Sequence, residues 1–97
     1  MEPTAVLPLL QVDLGELYPD EQRQAYLTQA INAAMAFIAR EGIVLTSSAE
    51  DVQLVEMYAA YLVRKRATTE AMPRMLRWAL NNRLFSQQAQ AGGDVSV

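Results

Sequence analysis

Apolar positions recur along this chain at helical spacing. Between residues 20 and 41, Leu27, Ile31, Ala34 and Ile38 follow at i, i+4, i+7 and i+11, which marks one face of a helix. Ala30, Ala33 and Phe37 widen that stripe. Pro19 or Asp20 opens the segment, since proline lacks only an N–H that has no partner in a first turn, and Asp20 and Glu21 complement the helix dipole. Gly42, after Arg40 and Glu41, is a left-handed terminator. The helix so bounded is about 33 Å long.

The next segment, "GIVLTSSAED", reads as a short extended connection ending in a start signal. Ser47 is the expected N-cap, with Glu50 completing a capping box and Asp51 adding charge to the first turn. The helix that follows runs to about Ala67. Val52, Val55, Ala59 and Leu62 form one stripe, and Leu54, Met57, Tyr58 and Tyr61 a broad second one. A helix apolar on two sides touches more than one neighbour, and a second subunit is one candidate for the extra neighbour.

"ATTEAMP" interrupts the pattern, with Thr68 or Thr69 able to cap what comes after. A third helix is predicted over Pro73–Phe85, with Met72, Met75, Leu76, Ala79, Leu80 and Arg83 facing inward and Trp78 and Phe85 turned elsewhere. The opening "MEPTAVLPLLQVDLGELYPD" holds three prolines and a glycine, which predicts a short helical turn around Thr4–Leu10 and then irregular chain. Its many leucines and valines place it against the core. The end, "SQQAQAGGDVSV", is polar with a glycine pair and is expected to be an unfolded tail. Within it Val95 and Val97 alternate with Ser96, a pattern that can add a strand to another protein's sheet. The expected fold class is therefore all-α: a small bundle of three main helices plus a short N-terminal helical turn, with an extended C-terminal tail. The helical domain covers residues 1–86 and the tail 87–97.

Composition narrows the chemistry. Ninety-seven residues make one domain. No apolar run approaches the ~20 residues that span a bilayer, and an acid stands near the N-terminus where a signal peptide carries Lys or Arg. Cys and His are both absent. That removes disulfides, thiolate chemistry, and the commonest general base and metal ligand. No glycine-rich phosphate loop, metal-ligand spacing or nucleophile elbow is found. Neither catalysis nor a cofactor is expected.

Charge is unevenly placed on a chain of net −3. Residues 1–56 carry nine acids and two bases, and residues 57–97 six bases and two acids, for −7 and +4. Six of the eight basic residues lie with the single Trp in "YLVRKRATTEAMPRMLRWALNNRLF", residues 61–85. Three readings compete for them: a solvated helix end, contact with an acidic protein surface, and binding to DNA. Arg64, Lys65 and Arg66 are consecutive and fan around a helix, while Arg74 and Arg77 share a face. An acidic domain repels a duplex unless such a patch is well segregated. Tyr58, Tyr61, Met72, Met75 and Trp78 are read as core or subunit interface.

"LLQVDLG", an Ala-rich helix ending "IAREGI", then "SSAEDVQLVEMYAAYLVRKR" and "MPRMLRWALNNRLF" together resemble the small head–tail connector (adaptor or head-completion) proteins of tailed bacteriophages and prophages. The resemblance covers about residues 7–86 and is most specific in "MYAAYLVRKRATTEAMPRMLRWALNNRLF". It implies a helical subunit of a homo-oligomeric ring, usually dodecameric, beneath the portal protein. The ring extends the DNA channel and receives the next neck or tail-completion protein. DNA passes through as cargo, and no membrane is involved. The expected location is the virion neck, with assembly in the host cytoplasm. Tyr58, Tyr61, Arg64, Lys65, Arg66, Arg74, Arg77 and Trp78 would then form the subunit or portal interface. Connector C-terminal segments often reach the portal, which singles out Gly92, Gly93, Asp94, Val95, Ser96 and Val97. The unlike charges of the two halves suit a head-to-tail contact that closes into a ring. The alternative from another class is a small helical DNA-binding module, and a third reading is a free helical dimer serving as an interaction module.

Overall fold

The computed structural model describes residues 1–95, with the backbone alone for Ala67 and 91–95. The described residues form four helices and no strand: α1 (Pro3–Asp13), α2 (Glu21–Arg40), α3 (Ala49–Ala67) and α4 (Arg74–Val95). The chain is an all-α bundle. No helix among the described residues is long and apolar enough to cross a membrane.

α3 is the hub. It packs on α2 and α1 along most of its length and carries α4 on its remaining flank. Its two-sided apolar pattern is thus satisfied inside the chain, and the second stripe needs no neighbouring subunit to cover it. From α2, Leu27, Ile31, Ala34 and Ile38 are fully buried, as their spacing predicts. They meet Val55 and Ala59 of α3, with Leu54 and Tyr58 closing the layer. Phe37 stacks on Tyr58 with ring centroids 5.9 Å apart, and Tyr61 meets Tyr58 edge-on at 6.0 Å.

The N-terminal segment is more ordered than a short turn. α1 extends three turns despite Pro8 in its interior, which removes one backbone hydrogen bond. Val6 and Leu10, both fully buried between α2 and α3, hold it helical. Tertiary burial outweighs local propensity here, as it does for most short helices. The chain leaves α1 through Gly15 at φ +72°, and Glu16 then accepts two 2.6 Å hydrogen bonds from Arg23. Asp20 caps α2 by accepting from the Arg23 amide at 2.8 Å. Gly42, at φ +92°, ends that helix as expected.

Three boundaries differ from the sequence reading. The cap of α3 is Ser48, whose hydroxyl accepts from the Asp51 amide at 3.2 Å, and not Ser47. The one-residue shift turns Asp51 inward and leaves Glu50 in solvent. Thr68 closes α3 and does not open α4, with its own amide bonding Lys65 O. α4 also continues past Phe85 to Val95. Gln87 explains the first added turn: its side chain accepts from Val44 N and donates to Gly42 O, both at 2.8 Å. The tail proposed to contact a portal, Gly92–Val97, falls on residues whose side chains lie outside the described part; for Ser96 and Val97 the backbone does as well.

Candidate interaction surface

Polar latches hold α4 in place. Leu76 and Leu80 are its buried apolar contacts. Beyond them, Arg83 reaches Asp51 with two hydrogen bonds of 2.7 and 3.1 Å and donates to Val44 O at 2.8 Å. Asp51 is fully buried and also accepts from the Thr46 amide and hydroxyl at 2.8 and 2.9 Å. Burial pushes the Asp51 carboxyl up, but the bonds from Arg83 and Thr46 outweigh it and hold the group below its ordinary value. Six residues earlier, Arg77 forms a two-point pair with Glu41 at 2.7 and 3.0 Å, joining α4 to the end of α2.

These latches settle where the basic residues go. Arg64 lies 3.5 Å from the Asp13 carboxylate and donates to the Asp13 carbonyl at 3.4 Å. Lys65 sits over the Tyr61 ring at 5.6 Å. Arg66 lies 5.1 Å from the Tyr26 ring, which Arg23 also approaches at 5.1 Å. The consecutive triplet therefore turns toward α1, along α3 and toward α2, and does not make one patch. Arg64, Arg77 and Arg83 each neutralise an acid of the first half of the sequence. Much of the linear charge asymmetry is consumed inside the monomer, which weakens it as an argument for head-to-tail pairing. Arg74 is exposed and has no ion-pair partner among the described residues.

The structure separates the remaining sequence candidates. Tyr58 belongs to the interior and Tyr61 is half-buried against it, whereas Trp78 is 63% exposed. Met75, expected to face inward, is 67% exposed, because Leu76 and Leu80 take the α3-facing positions. Phe85 is open too. Met75, Trp78, Asn82 and Phe85 follow at spacings of three, four and three, so they line one outer face of α4 opposite Leu76, Leu80 and Gln87. Beside this stripe runs a cleft of about 380 Å³ between α3 and α4, walled by Leu54, Met57, Met75, Trp78 and Ala79. The spacing of the outer stripe was present in the sequence, hidden beneath a second, core-facing periodicity in the same residues.

One buried acid was not anticipated. Glu56, on the α1 side of α3, is 9% exposed, and its Oε1 meets no hydrogen-bond partner. Burial, the hydrogen bond to Asp13 and the Asp13 charge push the Glu56 carboxyl up to about 7, against the nearby Arg64. Glu56 is thus protonated below neutrality and about half ionised at pH 7. The sequence carried a signal for it: Glu56 falls four residues after Val52 and three, four and seven before Ala59, Ala60 and Val63, an acid on an apolar face of α3. Comparison with models of known protein families, with curated proteins and with solved structures finds no match to this chain.

Proposed function

We propose that the chain is a structural subunit of a bacteriophage head–tail connector: a ring of copies beneath the portal that extends the DNA channel and receives the next neck or tail-completion protein. The observation that supports this best is the placement of residues 57–85, where the resemblance is most specific. They form the end of α3, a capped break and α4, and they put Arg74 and Trp78 on the outside of a small, self-sufficient helical body. Among the described residues Lys65, Arg66 and Arg74 are the basic residues of this segment left without an acid, and they are the candidates for contact with the portal or a neighbouring copy. Such contacts set register more than strength, since rim ion pairs contribute about 0–1 kcal/mol each.

The test is co-expression with a portal protein of the same phage or prophage, followed by imaging of the complex. Wild type is expected to form a ring on the portal, and Arg74→Glu to reduce ring occupancy at least tenfold while leaving helicity and the unfolding midpoint unchanged. Full occupancy by the variant overturns the assignment of Arg74. Failure of wild type to join the portal overturns the connector reading itself. Arg77 is a poorer probe, because reversing it also breaks the Glu41 pair. The same pairing counts against a DNA-binding module: Arg64, Arg77 and Arg83 are already occupied by carboxylates. Salt-sensitive duplex binding at micromolar concentration or tighter would nevertheless favour that module.

A further inference from the structure

From the outer face of α4 we infer that the free protein pairs with a second copy of itself, α4 against α4, antiparallel about a two-fold axis near Asn82. This inference rests on the outer stripe alone and stands whether or not the chain is a connector.

Met75, Trp78 and Phe85 are 67%, 63% and 71% exposed along one straight face of a helix whose opposite face is already in the core. Their spacing with Asn82 is the a/d pattern of a helix that packs against another helix, and Ala89 continues it. Single exposed apolar side chains are ordinary, but an aligned stripe of this kind marks an interaction site.

Charge decides the occupant. Between Met75 and Gln90 the only charged residues of α4 are Arg77 and Arg83, held by Glu41 and Asp51. The stripe is flanked by Asn81, Ser86 and Gln88. Apart from Arg74 at its N-terminal end and Glu50 of α3 at its edge the stripe is uncharged, and its complement is another largely uncharged apolar stripe, which a second copy supplies. In the antiparallel arrangement the Trp78 of each copy meets the other copy's Phe85, giving two aromatic pairs around a central pair of Asn82 amides. A buried polar residue at one such position fixes register. The two Arg74 side chains fall at opposite ends, whereas parallel pairing would bring them together.

The area is sufficient for a modest dimer. Side chains of this size each cover roughly 150–250 Å². At about two-thirds exposure three of them contribute on the order of 600–1,000 Å² to the pair, and with the flanking residues the total is about 1,000 Å², the lower bound for a specific interface. An interface of that size is weak and transient.

The chain has no cysteine, so an introduced one reports without interference. Sedimentation of the full chain from 1 to 200 μM is expected to show a monomer–dimer equilibrium. Trp78→Ser with Phe85→Ser should shift it at least twentyfold toward monomer with unchanged helicity, since both side chains are exposed in the single copy. Under mild oxidation Asn82→Cys should cross-link to a covalent dimer, while Met75→Cys and Thr4→Cys should not. A wild type that stays monomeric at 200 μM overturns the inference, as does a double variant that dimerises like wild type. Cross-linking through Met75→Cys as fast as through Asn82→Cys overturns the antiparallel register.

Discussion

Asp51 and Glu56 lie five residues apart on α3, both buried and both acidic, and they answer pH in opposite directions. Asp51 is held ionised by Arg83 and Thr46, with its carboxyl below the ordinary 3.8. It contributes stability above that value, and the contribution is lost as pH falls through the folded value. Glu56 is held protonated, at about 7 against an ordinary 4.5. Its contribution is fully present below 4.5 and is lost as pH rises toward 7, because folding takes up a proton in that window. Glu56→Gln should therefore flatten the fall in stability between pH 4.5 and 7 and add about 1–3 kcal/mol at pH 8, read from urea midpoints across pH. An unchanged pH profile would refute the raised Glu56 carboxyl. Asp51→Asn leaves the Arg83 guanidinium largely buried without its carboxylate. It should cost about 2–4 kcal/mol, and adding Arg83→Met should restore part of that. A single-variant loss within about 0.5 kcal/mol, the range of ordinary surface changes, would show the pair to be incidental. Capping chemistry announced a helix start near Ser47 and Ser48, but choosing between the two serines required Arg83, thirty-two residues from the Asp51 it holds.

Among the helices, α2 was the most legible, because one clean apolar stripe, an aspartate cap and a terminal glycine all agree. α1 was understated: Pro8 argues locally against a helix, and only the burial of Val6 and Leu10 overrules it. α4 was half legible. Leu76, Leu80 and Arg83 were placed inward correctly, while Met75 belongs to the opposite face and the end of the helix lies beyond Phe85. Its attachment also differs in kind from that of α1 and α2. α4 touches mainly α3, and the Arg77–Glu41 pair, the Arg83–Asp51 pair and the Gln87 side chain supply much of its fastening. Local opening free energies follow such differences in buried apolar contact. Native-state hydrogen exchange should show α4 amides beyond Arg83 exchanging at least tenfold faster than those of α2 at Ile31–Ile38. Uniform protection of the two helices would mean that α4 opens only with the whole domain.

For the whole molecule, the all-α bundle followed from periodicity, and the division of charge along the chain was visible as well. What that charge does was not, since linear order says nothing of which acid meets which base. The three pairs that join the halves span 51, 36 and 32 residues, from Arg64 to Asp13, Arg77 to Glu41 and Arg83 to Asp51. The surface candidates divide accordingly: Arg64 and Arg77 are engaged within the monomer, Tyr58 is interior, and Arg74 and Trp78 remain outward. This crossed pairing bears on how the chain is made. The acids emerge from the ribosome first, and the arginines that answer Glu41 and Asp51 come only with α4. Until residue 83 is free, Asp51 has no guanidinium to justify its burial, and the first three helices must wait, or hold that carboxylate in water. Completion of the bundle is in this sense a C-terminal event, and a chain cut short before α4 carries the core's apolar residues without the cation that lets Asp51 close over them.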